Sequence, residues 1–113
     1  MHDTRSFSRA VTTLKNVLGH QLTAYIAGVR DPTVVDLWTA GISAPGVEKR
    51  LYLAHSVAMM LCTMDQCDEI RSWFLTPQPR LENRSPALVI REGGDRDDVV
   101  AVISLSVMGA KYD

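Results

Sequence analysis

The groups in this chain that could do chemistry are few, and their spacing keeps them apart. Cys62 and Cys67 stand five residues apart, so on one helix their thiols point in different directions. No second Cys or His pair completes a structural zinc site, and the two read as buried, inert thiols. His2, His20 and His55 are scattered. Asp95-Arg96-Asp97-Asp98 is too short for a calcium loop and lacks its twelfth-position ligand. Gly93-Gly94 follows a helical pattern and carries no Lys-Ser/Thr, so it is not a phosphate loop. With no nucleophile–base pair visible, we expect no catalytic residue, no metal and no cofactor: the chain is not an enzyme. The informative part is the back third, where Trp73-Phe74-Leu75 meets Thr76-Pro77-Gln78-Pro79, then Leu81, Asn83, Ser85-Pro86 and Leu88, and a polar end at Lys111-Tyr112-Asp113. This pattern reads as two short helices joined by a fixed loop, in a protein that acts by fitting into something else.

The elements that position these residues are helical by their apolar spacing. Phe7, Ala10, Val11, Leu14, Val17 and Leu18 mark a first helix that stops at Gly19. Leu22–Ala27 is a second, broken at Gly28. Asp31 caps a third, with Pro32 in its first turn, running to about Thr39 and ending at Gly41. A longer helix starts at Ser43 or Ala44, with Pro45 in its first turn and Val47, Leu51, Ala54, Ala58 and Leu61 on one stripe. A fifth covers Gln66 to Phe74 and must stop before Pro77. Ser85 caps a sixth, with Pro86 at its first position and Gly93-Gly94 at its end. For Asp97–Met108 the alternation Ile103-Ser104-Leu105-Ser106-Val107 would also suit a strand. No other segment offers a partner strand, and Asp95–Asp98 suits a positive helix N-terminus, so helix is the expectation. Gly109 then lets the backbone turn out. Met59, Met60 and Met64 serve as core filler or a helix–helix contact, and Trp73 as core. The fold class is therefore all-α: residues 1–42 a helix-turn-helix-like bundle, 43–64 a connecting long helix, and 65–113 a small helical domain with a C-terminal tail.

Composition limits the function. At 113 residues and 46% hydrophobic, the chain can pack a core, yet burial against a partner would help a protein so small. A net charge of −1 argues against a strong nucleic-acid or membrane binder. The charge is uneven: the first fifty residues hold six basic and four acidic side chains, leaving six and nine for the rest. Two cysteines point to a reducing compartment. The first residues do not read as a signal peptide, and Val57–Cys62 is far too short to cross a bilayer. We expect a soluble protein of a bacterial-type cytoplasm.

His20–Thr39 fits the spacing of a helix-turn-helix. Ala24 is the small residue where two helices approach, Gly28 supplies the turn, and Val34 and Leu37 pack the second helix back, closed by Trp38. Such a unit presents its second helix to a DNA major groove. The candidate DNA-binding residues are Arg30 and Thr33, but Asp31 and Asp36 beside them repel phosphate. A working DNA binder and a retained scaffold both remain open on this helix. A stand-alone transcription regulator is the alternative function, although such a protein is expected to carry more Arg and Lys between residues 20 and 40.

The degenerate helix-turn-helix followed by Trp73-x-Leu75-x-Pro77, Leu81, Ser85-Pro86, Leu88, Gly94, Val99 and Gly109 resembles antitoxins of the Xre/MbcA/ParS type, over nearly the whole chain. The resemblance implies a type II antitoxin. Its partner would be a RES-domain toxin that destroys NAD⁺ at the nicotinamide bond, blocked at its substrate pocket by the antitoxin's C-terminal region. It also implies repression of the operon's own operator DNA; a helix-turn-helix protein is expected to pair as a homodimer through its N-terminal helices, here within a larger hetero-oligomer. On this reading the toxin-binding residues are Gly109, Ala110, Lys111, Tyr112 and Asp113. The Tyr112 ring could stack in a cofactor pocket, and Asp113 with a terminal carboxylate could meet arginines that hold pyrophosphate. Two departures stand out. Asn83 occupies a position where the family often has Gly, and Asn tolerates a left-handed backbone. The third helix is also weakly charged for a DNA reader.

Overall fold

A computed structural model describes residues 4–42, 45–62, 70–93 and 96–112, with the backbone alone at 4, 5, 45, 62 and 106–112. The elements in chain order are α1 (Thr4–Leu18), α2 (His20–Ala27), α3 (Val34–Thr39), α4 (Pro45–Cys62), α5 (Ile70–Leu75), a 3₁₀ turn (Pro79–Leu81), α6 (Pro86–Gly93) and α7 (Asp97–Tyr112). Among the described residues the architecture is all-α, as expected, and an isolated bridge between Gln78 and Arg84 is the extent of extended pairing.

The core follows from apolar spacing. In α1, Phe7, Ala10, Val11, Leu14 and Leu18 recur every three or four residues and are all buried. α4 carries Leu51, Leu53, Ala54, Val57 and Ala58, so more than one stripe is apolar. That suits a central helix, and α4 packs against α1, α2, α5, α6 and α7. Ala54 and Ala58, one turn apart, keep its surface low where neighbours cross. One continuous apolar cluster runs from Phe7 and Leu14 through Leu51 to Phe74, Ile90 and Ile103, so the front, middle and back stretches share it. Each fully buried Leu, Ile or Phe contributes about 1.5–3 kcal/mol against leaving it in water.

Breaks in the helices fall where the sequence placed them. Gly19, Gly28 and Gly41 all have φ near +90°. At Gly28 the requirement is specific: its N–H bonds the Tyr25 carbonyl at 3.1 Å while Val29 N–H bonds Ala24 at 3.1 Å, a left-handed cap that closes α2. α3 ends the same way, with Gly41 N–H on Trp38 and Ile42 N–H on Leu37. α6 begins on its expected cap, Leu88 N–H donating to Ser85 Oγ at 3.2 Å.

Several expectations are corrected. α3 starts at Val34 rather than at Pro32, because Asp31 spends its cap on a turn one step earlier. Its carboxylate accepts Thr33 N–H at 3.0 Å and the Thr33 hydroxyl at 2.7 Å. Against α1 and α2 the helix buries Val35 with the expected Trp38, Val34 is half-buried, and Leu37, about 200° round from Val35, is 51% exposed. α5 runs one residue past Phe74 to Leu75. Phe74 is the fully buried aromatic, whereas Trp73 packs edge-on to it at the margin of the core. The expected starts at Ser43, Ala44 and Gln66 lie outside the described residues, as do Cys67, Met64, His2 and Gly94.

Candidate functional site

The back of the molecule seats α7 against α4, α6 and the 3₁₀ turn. After α5, Thr76 caps the last turn through its hydroxyl on Ser72 O at 2.7 Å. Gln78 then organises the loop, its carbonyl accepting from Leu81 N–H and Asn83 N–H, both at 2.9 Å, and its own N–H donating to Arg84 O at 3.1 Å. Closing so short a loop needs two successive left-handed residues, Glu82 (φ 60°) and Asn83 (φ 63°). Asn83 is thus where the sequence anticipated a left-handed backbone. Glu82 is an addition that its side chain gave no reason to expect. Leu81 anchors the loop in the core at 1% exposure.

The α6–α7 corner is equally tight. A side-chain carbon on Gly93 would meet Val99 Cγ2 at 3.0 Å, so Gly lets α7 lie close against the end of α6. Asp97 and Asp98 occupy the first turn of α7, as the helix dipole favours. Arg96 holds Asp98 in a two-bond fork at 3.2 and 2.8 Å, which keeps that carboxyl below its ordinary range. Along α7, Ile103 is buried and Val99 half-buried against the core. Leu105 (62%) lies on the opposite side, while Val100 (36%) and Val102 (42%) flank the buried stripe on its two edges, with nothing packed on the three among the described residues.

The backbone stays helical through Gly109, Ala110, Lys111 and Tyr112, so Gly109 does not turn the chain out of the helix. A glycine costs about 1 kcal/mol inside a helix but does not end one. Asp113 lies outside the described residues. The five C-terminal candidates therefore do not form a separate tag: four of them continue the helix that begins at Asp97.

In the front half, the structure separates the two DNA-binding candidates. Thr33 is exposed, with its hydroxyl donated to Asp31, whose carboxyl this bond holds below its ordinary value. Arg30 is exposed and borders an open cleft of about 400 Å³ with Gln21, Tyr25, Val29, Pro32 and Arg91. Arg91 comes from α6, and no sequence signal linked it to α2. Of the scattered histidines, His20 meets Asp36 at 3.3 Å on the surface, and burial pushes His55 below its ordinary 6.5. No group of three or more His, Cys, Asp or Glu gathers among the described residues.

Comparison with solved structures finds a chain of the M. tuberculosis MbcT–MbcA toxin–antitoxin complex that is 27% identical, with a TM-score of 0.66, over 90% of this chain and 94% of that one. No protein-family model matches the chain, and no curated protein matches it. The all-α fold is thus of the antitoxin type. The chain is MbcA-like, and the resemblance to Xre/MbcA/ParS-type antitoxins read from its sequence holds over nine-tenths of its length.

Proposed function

We propose that the protein is a cytoplasmic type II antitoxin that binds a cognate RES-domain toxin and blocks its NAD⁺ site with the C-terminal region. The observation that carries this is the near full-length likeness to a chain of a toxin–antitoxin complex. The bare apolar side of α7 supports it, because a helix face of this kind gains most of its burial from a partner. Gly109 and Tyr112 stand four and seven positions beyond Leu105, the spacing of one helix face. The docking element is then the whole of α7, with Val102 and Leu105 gripping the rim of the toxin's cleft and Ala110, Lys111, Tyr112 and Asp113 reaching inward. The protein acts by occlusion and performs no chemistry of its own.

Co-expression tests this. The toxin alone should deplete NAD⁺ and stop growth, and the intact chain should prevent both. A chain ending at Met108 should fail to protect while still folding. Equal NAD⁺ loss with and without the intact chain would refute the antitoxin reading, and equal protection by the shortened chain would refute occlusion by the tail. Autorepression belongs to the same proposal, with Arg30 as its DNA contact and a homodimer as the operator-bound form. A gel shift on the upstream region at two salt concentrations checks it.

A further inference from the structure

The cleft between α2, the turn after it and α6 joins residues that neither half of the sequence links. Arg91 is held there in a fixed pose. Its Nη1 donates to the Tyr25 carbonyl at 2.7 Å, and its guanidinium carbon stacks 4.7 Å over the Tyr25 ring. That carbonyl lies at the C-terminal end of α2, where a cation is favoured. With Nη1 engaged, Nε and Nη2 remain to face a ligand. Arg30 borders the same cleft, and Gln21 adds an amide. Among the described residues neither arginine has a carboxylate partner. The nearby acids are engaged elsewhere: Asp31 with Thr33, Asp36 with His20, Glu92 with Arg84 at 3.5 Å.

Two arginines with no carboxylate partner among the described residues border one concave surface, and like charges gathered there favour a bound anion. We propose that this cleft is a binding site for a phosphate ester, a function separate from toxin occlusion. A tetrahedral phosphate offers oxygens in enough directions to meet two forks and an amide at once, which a planar carboxylate does not. The cleft of about 400 Å³ exceeds what a bare phosphate fills, and Tyr25, Val29 and Pro32 line its apolar part, where a sugar or base would lie. The ester can belong to a free nucleotide, or to a nucleic-acid backbone, in which case the site is the one the autorepression reading invokes at Arg30.

The test is an NMR titration of the full chain with AMP, with a short DNA duplex and with sulfate. AMP or the duplex should shift the Val29 and Arg30 amides and the Arg91 Nε–H saturably. Arg30→Gln, a surface change that leaves the fold intact, should weaken binding about tenfold, the loss of one charge-assisted pair. Arg91→Lys keeps the charge but removes the fork, and should weaken it similarly. A response to AMP assigns the site to free nucleotides, and a response to the duplex alone, lost in both variants, assigns it to nucleic acid. Equal shifts with sulfate, no shift with either phosphate ester, or unchanged binding in Arg30→Gln would overturn the proposal.

Discussion

Asn83 carries the sharpest single-residue consequence. Its φ of 63° closes the loop between α5 and α6, and only Gly, Asn and Asp adopt that conformation routinely. Asn83→Val should lower stability by about 1–2 kcal/mol, read as a lower urea midpoint, while Asn83→Gly should cost little. The second residue of note is His55. Burial holds it below 6.5 in the folded state, so the unfolded chain takes up the proton first as pH falls. Stability from this group is whole above pH 6.5 and declines as pH drops through the lower folded value. Chemical denaturation at pH 7 and pH 5 should show that decline, and His55→Gln should reduce it. Asp31 and Asp98 act in a lower window. Their folded values lie under 3.8, so what they contribute is present above 3.8 and lost only as pH falls further.

At the scale of elements, α6 and α7 form one device: a capped short helix that positions a longer one. Ser85 supplies the cap, and Ser85→Ala should cost about 1 kcal/mol, seen as a lower thermal midpoint. The outer side of α7 should behave in the opposite way. Leu105 is 62% exposed, so Leu105→Asp should leave the midpoint of the free protein nearly unchanged and abolish tight toxin binding in calorimetry. A large stability loss with intact binding would place Leu105 in the fold rather than the interface. The front-half elements show how one local bond resets a helix. Asp31 caps at Thr33 and α3 starts at Val34; Trp38 is buried as expected, and Val35 rather than Leu37 is buried with it. The helix-turn-helix spacing points to Val34 and Leu37 for that packing.

Across the whole molecule, a single apolar cluster ties the helix-turn-helix-like region to the C-terminal helices through α4. Arg91 adds a polar tie between α6 and the end of α2. Shared burial of this kind makes the chain cooperative, so thermal unfolding followed by tryptophan fluorescence and by far-UV circular dichroism should coincide. Ile90 is fully buried within the shared cluster, and Ile90→Ala should cost about 2–5 kcal/mol. It should destabilise both halves together. Separate transitions for the two probes would show instead that the halves fold independently.

Local chemistry was legible in one dimension. Glycines that must take positive φ, the Ser85-Pro86 helix start, apolar repeats every three or four residues and a tolerant Asn83 each act over a few bonds, so residue order alone determined the all-α class, most helix limits and the antitoxin resemblance. Tertiary packing decided the rest. Whether Leu37 or Val35 faces inward depends on how α3 packs against α1 and α2, and a glycine such as Gly109 permits a helix end without requiring one. Arg30 and Arg91, about sixty residues apart, share a cleft because α2 and α6 pack side by side, a long-range contact that no spacing in the sequence encodes.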